Sequence, residues 1–294
     1  MMNKEISYKM KIIVGKTAGF CYGVERAVQG AIHELAETKD SVCCLGEIVH
    51  NQQVIKRLED LGINCIETLE EAKGIVLIRA HGVPKEIYDL AKKMNIQIQD
   101  YTCPNVLKVH KIAEKYRKEG YFIFLLGTKN HPENVGTLSH CGEDCFIFEK
   151  KEEIENAWKK FEASEKKKLV LISQTTFSLE KFYEIEKIIK KKVKSNIIFE
   201  VKNTICRTTE LRQKETEELS KKVDTMIIVG GKNSSNTRKL YEIARNNCNN
   251  SILIETAQEL NVKTIGAKVG IMAGASTPKE NIKEVIEFLK EGSW

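Results

Sequence analysis

Short, nearly continuous apolar runs alternate along this chain with longer stretches in which apolar and charged positions recur at helical spacing. The runs have the pattern of strands covered on both faces, and the amphipathic stretches are the helices that would cover them. The alternation predicts an α/β protein with mostly parallel sheets.

The layout repeats three times. A strand-like run leads into a cysteine and then a charged helical stretch at KIIVGKTAGF-Cys21, IQIQDYT-Cys103 and IIFEVKNTI-Cys206. After each helix a buried-looking strand enters a polar turn, at His50-Asn51, His131-Pro132-Glu133 and Ser234-Ser235-Asn236, which begin 29, 28 and 28 residues after the cysteine. A shorter strand ends at Glu67, Glu149 or Glu255, and a last apolar strand ends in a second turn, His81-Gly82, Thr175-Thr176 or Ser276-Thr277-Pro278. The matched offsets predict three pseudo-threefold-related α/β domains, each with a small, mostly parallel sheet. Residues 11–102 would carry Cys21, His50 and His81; residues 103–205 would carry Cys103, His131, Glu133 and Thr175; residues 206–290 would carry Cys206, Ser234, Asn236 and Ser276. Open α/β sheets bind ligands beyond the carboxyl ends of their strands, so three thiols and six polar turns are expected to face one central cavity. No Ser/Gly/Pro-rich linker separates the repeats, which predicts close docking. The four prolines, Pro84, Pro104, Pro132 and Pro278, all lie within three residues of a candidate site residue, where a fixed φ stiffens a loop.

Composition narrows the chemistry. The 294 residues are 41% hydrophobic and 30% charged, an ordinary soluble balance. The start MMNKEISYKMKIIVG lacks the apolar stretch of a signal peptide, and no run approaches the roughly 20 residues that span a bilayer. A cytoplasmic protein without membrane association is expected. A net charge of +6 suits an anionic small substrate or an acidic redox partner, and no basic or aromatic motif points to nucleic acid. The lysines at 190–192 and 194 read as the solvated end of a helix.

Nine cysteines, an odd number in a reducing compartment, are better read as thiols than as a disulfide framework. Cys43, Cys44, Cys65, Cys141, Cys145 and Cys248 lie in or beside apolar segments and read as spare thiols. Cys21, Cys103 and Cys206 each lie between a strand end and a helix start, where the helix dipole favours thiolate and hence metal ligation. Three thiolates on a cubane cluster would leave one iron open for substrate. A zinc site built on the same thiols is an alternative, although CxxC pairs are absent.

His50, His81 and His131 follow strands beside turn-forming residues, whereas His33, His110 and His140 read as structural or surface groups. Ser234, Ser235, Asn236 and Ser276 supply hydroxyl and amide donors in the third repeat. With the histidines they form a set suited to a diphosphate. Glu133 is a candidate proton donor, since a carboxyl facing a closed anionic cavity can keep its proton near neutral pH. Alternatively it is a helix-start acid stabilised by the macrodipole. Gly15-Lys16-Thr17 lacks the earlier glycine of a P-loop, and no GxGxxG is present, which argues against a Rossmann nicotinamide site.

These motifs together resemble one family, the 4-hydroxy-3-methylbut-2-enyl diphosphate reductases. The matching stretches run in family order from about residue 11 to about residue 290. They are Gly19-Phe20-Cys21-Tyr22-Gly23-Val24, Ile48-Val49-His50-Asn51, Arg79-Ala80-His81-Gly82-Val83, Thr102-Cys103-Pro104 and His131-Pro132-Glu133. Further on come Gln174-Thr175-Thr176, Asn203-Thr204-Ile205-Cys206, Asn233-Ser234-Ser235-Asn236-Thr237 and Ala273-Gly274-Ala275-Ser276. The resemblance implies a clover-like fold around one [4Fe–4S] cluster with three cysteine ligands and an open iron. It further implies reductive removal of the substrate hydroxyl, with electrons from ferredoxin or flavodoxin, to give isopentenyl and dimethylallyl diphosphate. It places His50, His81, Ser234, Asn236 and Ser276 at the diphosphate, and His131, Glu133 and Thr175 at the hydroxyl end and proton delivery. The rivals are a non-redox hydro-lyase with the same open iron and an iron–sulfur sensor. The roughly ten residues before Lys11, the Lys-rich insertion around Lys159–Lys168 and the short tail ending at Trp294 bear only on surface features and partner docking.

Overall fold

A computed structural model describes residues 10–291; the segments 1–9 and 292–294, which include most of the leading residues and Trp294, lie outside the described residues. In chain order the elements begin with β1 (Lys11–Val14), α1 (Tyr22–Glu37), β2 (Val42–Leu45), α2 (Gln52–Asp60), β3 (Asn64–Ile66), β4 (Ile75–Ile78), α3 (Lys85–Lys93) and β5 (Ile98–Asp100). They continue with α4 (Pro104–Lys118), β6 (Phe122–Leu126), α5 (Pro132–Cys141), β7 (Cys145–Phe148), α6 (Ile154–Ala163), β8 (Lys168–Ser173), α7 (Leu179–Lys192) and β9 (Ile198–Val201). The last are α8 (Arg207–Ser220), β10 (Thr225–Val229), α9 (Ser235–Asn247), β11 (Ser251–Ile254), β12 (Lys268–Ala273) and α10 (Lys279–Glu291).

The strands form three four-stranded parallel sheets, in the orders β3-β2-β4-β5, β7-β6-β8-β9 and β1-β12-β10-β11. Each sheet has the same order, read inward from the edge strand β3, β7 or β11. The central strands are the continuous apolar runs, buried along nearly their whole length, because helices cover both faces. The edge strands β3, β5 and β9 mix polar and apolar residues and are only partly buried. In the second sheet the side-chain alternation is plain. Phe122, Phe124, Leu126, Leu169 and Leu171 face the phenylalanine-rich core with α6 and α7, while Ile123, Leu125, Val170 and Ile172 face Val109, Ala113 and Tyr116 of α4.

One boundary of the expected domains is corrected. Lys11–Val14, placed by the repeat pattern in the domain 11–102, pairs with β12 of the third sheet, in a register running from Lys11↔Lys268 to Val14↔Ile271. Residues 206–290 supply only three strands, so the outer edge of β12 would lie open; β1 closes it. In the other two sheets this place is taken by β5 and β9, the strands that lead to Cys103 and Cys206. The strand before each of the three cysteines therefore belongs to the sheet preceding that cysteine in a cyclic order.

The chain forms two compact units. Among the described residues, one comprises those up to Cys21, His50–Gln52 and those from Arg207 onward; the other comprises Tyr22–Val49 and Gln53–Cys206 and holds two of the sheets. Within the larger unit, α4 packs along α5 and α3 meets α5, where Lys85 N–H donates to Ser139 Oγ at 3.1 Å. His110 is buried there and stacks on His140 with ring centroids 4.4 Å apart. Pro104 and Pro132 occupy first-turn positions of α4 and α5, and Pro84 caps α3. The lysines ending α7 are solvated and ion-paired, Lys190 to Glu186 and Lys192 to Glu155. No helix among the described residues is long and apolar enough to cross a membrane.

Candidate functional site

Cys21, Cys103 and Cys206 occupy equivalent positions. Each precedes a helix, α1, α4 or α8, and each backbone N–H donates to the carbonyl two residues beyond the third strand of the sheet it leaves. The pairs are Cys21 to Ala275 (3.0 Å), Cys103 to Ala80 (2.9 Å) and Cys206 to Thr175 (3.0 Å). All three thiols are half-exposed. Five of the other six are buried, and burial raises the pKa of Cys43, Cys44 and Cys65; Cys145 is raised by its bond to Cys141 and by burial. A buried protonated thiol is a poor ligand, so accessibility separates the three junction thiols from most of the rest.

The space beside Cys103 is kept by a glycine. A Cβ on Gly23 would lie 2.6 Å from Cys103 Sγ, so any larger residue on this first turn of α1 would push the thiol away. Half-exposed sulfurs at helix starts, with one cradled against a bare backbone, are soft donors in a setting that fits an iron–sulfur cluster.

The smaller unit gathers Cys21, His50, Ser234, Ser235, Asn236 and Ser276. Ser276 Oγ donates to the His50 carbonyl at 3.1 Å, and a Cβ on Gly231 would lie 2.7 Å from that same carbonyl, so the His50 backbone is wedged between two turns of the third sheet. Ser234 caps α9, its Oγ accepting from Thr237 N–H, which leaves the hydroxyl proton directed elsewhere. Asn236 is 4% exposed, yet neither Nδ2 nor Oδ1 has a hydrogen-bond partner among the described residues. A buried orphaned amide at a helix start is costly unless a ligand satisfies it.

The larger unit gathers Cys103, Cys206, His81, His131, Glu133 and Thr175. His131 caps α5, and its Nδ1 accepts from Glu133 N–H at 3.2 Å, so a neutral ring carries its proton on Nε2. The His81 and His131 rings meet edge to face, with centroids 5.4 Å apart. Glu133 is 2% exposed and turns away from its own helix start. Its carboxyl accepts from Thr175 N–H at 2.6 Å and from Thr175 Oγ1 at 2.7 Å. Burial pushes its pKa up to about 7 against the lowering effect of those two bonds. Because Thr175 O also accepts from Cys206 N–H, one residue ties the carboxyl to the cysteine loop.

Gln174, which stands in a matched stretch, and Asn134, next to another, carry no role from sequence and prove to organise these turns. Asn134 Nδ2 donates to Thr128 O at 2.9 Å and to Gln174 Oε1 at 2.8 Å, and Gln174 Nε2 donates to Thr176 Oγ1 at 2.8 Å. Their adjacency to His131-Pro132-Glu133 and to Thr175 was the available signal. The glutamates after the short strands also brace turns: Glu149 accepts from Thr128 Oγ1, and Glu255 from Lys232 N–H.

The fold and these side chains define an α/β protein of three like sheets, with one accessible thiol at each of three strand-to-helix junctions. The chain belongs to the LytB protein family, whose model matches residues 12–290. A relative from Caldanaerobacter subterraneus subsp. tengcongensis, named 4-hydroxy-3-methylbut-2-enyl diphosphate reductase, is 42% identical over 288 residues, 96% of this chain and 97% of that one. A solved structure of (E)-4-hydroxy-3-methyl-but-2-enyl diphosphate reductase, described as the terminal enzyme of the non-mevalonate pathway, is 40% identical. It covers 96% of this chain and 99% of its own, with a TM-score of 0.69. The E-1-hydroxy-2-methyl-but-2-enyl-4-diphosphate reductase from Plasmodium falciparum is 31% identical with a TM-score of 0.87, over 96% of this chain and 88% of that one.

Proposed function

We propose that this protein is an iron–sulfur oxidoreductase of isoprenoid biosynthesis. It converts 4-hydroxy-3-methylbut-2-enyl diphosphate to isopentenyl and dimethylallyl diphosphate, using one [4Fe–4S] cluster held by Cys21, Cys103 and Cys206. The observation that carries this reading is the equivalent tethering of three half-exposed thiols in a chain of this family. The reaction consumes two electrons and two protons: the C–O bond breaks, the hydroxyl leaves as water, and one proton ends on carbon. When bound, the cluster supplies the electrons and a Lewis-acidic open iron.

The chain's own residues divide the remaining work. His50, His81, Ser234, Ser235, Asn236 and Ser276 bind the diphosphate. The orphaned Asn236 amide and the Ser234 hydroxyl at the start of α9 suit phosphate oxygens, and the helix dipole favours that charge. Glu133, half-protonated at about pH 7, holds a proton at its buried carboxyl, and the Thr175 hydroxyl bonded to it offers a path outward. His131, whose Nδ1 is engaged by the helix cap, orients the hydroxyl end through Nε2. Ferredoxin or flavodoxin delivers the electrons one at a time, in the cytoplasm.

The test is anaerobic turnover of the reconstituted protein with the allylic diphosphate and a low-potential donor, following products by mass. Formation of both deoxygenated isomers with two electrons consumed per product is the expected result. An intact cluster with no electron consumption would overturn the reading in favour of a hydro-lyase or sensor.

A further inference from the structure

Two of the cysteine loops are held by an arginine that lies just past a different cysteine. Arg212, on α8 and six residues after Cys206, is 2% exposed. Its Nε donates to Thr17 O at 2.8 Å and its Nη2 to Gly19 O at 2.8 Å. Glu215, one turn further along α8, accepts from Lys16 N–H at 2.6 Å, from Thr17 N–H at 2.8 Å and from Thr17 Oγ1. The loop from β1 to Cys21 thus hangs on two side chains of one helix. Gly19, at φ +101, turns the chain back toward Cys21, a conformation that other residues rarely adopt.

Arg26, on α1 and five residues after Cys21, acts likewise on the approach to Cys103. Its Nη1 donates to Thr102 O at 3.1 Å and its Nη2 to Asp100 O at 3.4 Å, with the guanidinium 5.5 Å from the Tyr101 ring centroid. The approach to Cys206 is tied by another device: Ser173 N–H donates to Thr204 Oγ1 at 2.7 Å, and that hydroxyl donates to Ser173 O.

The crossing follows from the topology. Each cysteine is delivered by the outer strand of one sheet, and the helix that begins at the previous cysteine packs on that sheet, as α8 on β12 and α4 on β6 and β8, or on the residues just past its outer strand, as α1 on Tyr101. A guanidinium reaching from that helix can satisfy two loop carbonyls at once, which an ammonium cannot do in the same geometry.

We infer that Arg212 and Arg26 are crossed positioning residues: Arg212 fixes the thiol of Cys21, Arg26 fixes the thiol of Cys103, and neither governs the cysteine beside it in sequence. The inference rests on the reading of Cys21 and Cys103 as cluster ligands for its functional sense, but the clasps act on the polypeptide itself. Loss of a clasp lets one ligand loop open locally while the rest of the fold stays closed.

The test is alkylation of the metal-free full-length chain with iodoacetamide, with the rate at each cysteine read by mass spectrometry. Arg212→Lys is expected to raise the Cys21 rate roughly tenfold, since hydrogen bonds from a charged group are lost, while Cys103 and Cys206 stay within about twofold. Arg26→Lys should raise Cys103 alone. Buried Cys141 reports global unfolding in the same sample. If Arg212→Lys exposes Cys141, the gentler Glu215→Gln decides, with the same expectation at Cys21. Equal increases at all three junction thiols, or an increase at the sequence neighbour, would overturn the inference. Iron release to a chelator from the reloaded variants separates the two readings: a crossed alkylation pattern with wild-type iron release keeps the clasps and removes the ligand assignment.

Discussion

Replacing Glu133 by glutamine removes one proton-binding site while preserving the shape that Thr175 grips. In the folded chain burial raises this carboxyl from the usual 4.5 to about 7, whereas the unfolded chain exposes it to water. Between those values the unfolded chain has released a proton that the folded chain still holds. Stability conferred on the wild type therefore falls as pH rises from about 4.5 to about 7, and is flat above that. The interval corresponds to roughly 3 kcal/mol, and at 2% exposure solvent screening removes little of it. Urea unfolding of the metal-free wild type and Glu133→Gln in steps across this range measures it directly. The wild type should lose about 3 kcal/mol relative to the variant between the acidic and the alkaline end. The reloaded variant should retain iron and turn over at least ~100-fold more slowly, the usual scale for losing a positioned proton donor. A stability difference that does not change with pH would refute the buried neutral carboxyl, and near-wild-type turnover would remove Glu133 from proton delivery.

Serine in place of Cys21, Cys103 or Cys206 should abolish cluster retention, whereas Cys141→Ser, a change at a fully buried thiol, should leave it intact; iron analysis after anaerobic reconstitution decides, and equal iron in all four variants would defeat the ligand assignment. Asn236→Leu removes the orphaned buried amide, so the ligand-free protein should gain about 1 kcal/mol or more while affinity for inorganic diphosphate drops roughly tenfold. Thermal unfolding and a diphosphate titration on the same samples check both halves. A destabilised variant with unchanged binding would make Asn236 a structural residue.

Much of the architecture was legible in the chain. The continuous apolar runs became the central strands, the cysteines fell at strand-to-helix junctions, and each polar turn follows its strand, because side-chain periodicity and burial are local properties. The membership of β1 was not legible. Its residues read as a strand, but which sheet has an open edge depends on how many strands a distant segment supplies.

The site divides along the same line. Sequence determined which residue types stand at the strand ends, and hence the candidate thiols, histidines and hydroxyls. Only the tertiary structure shows that Glu133, in the first turn of α5, is buried, because its partner Thr175 is 42 residues away in the turn after β8 and the buried surroundings come from both. The arginine clasps show the same limit. Arg212 and Glu215 lie in a charged helical stretch whose local pattern names no partner, yet they hold carbonyls and amides nearly 200 residues earlier. Short-range pattern fixes what each element is; long-range packing fixes what each buried polar group must satisfy, and that is where the chemistry of this protein was decided.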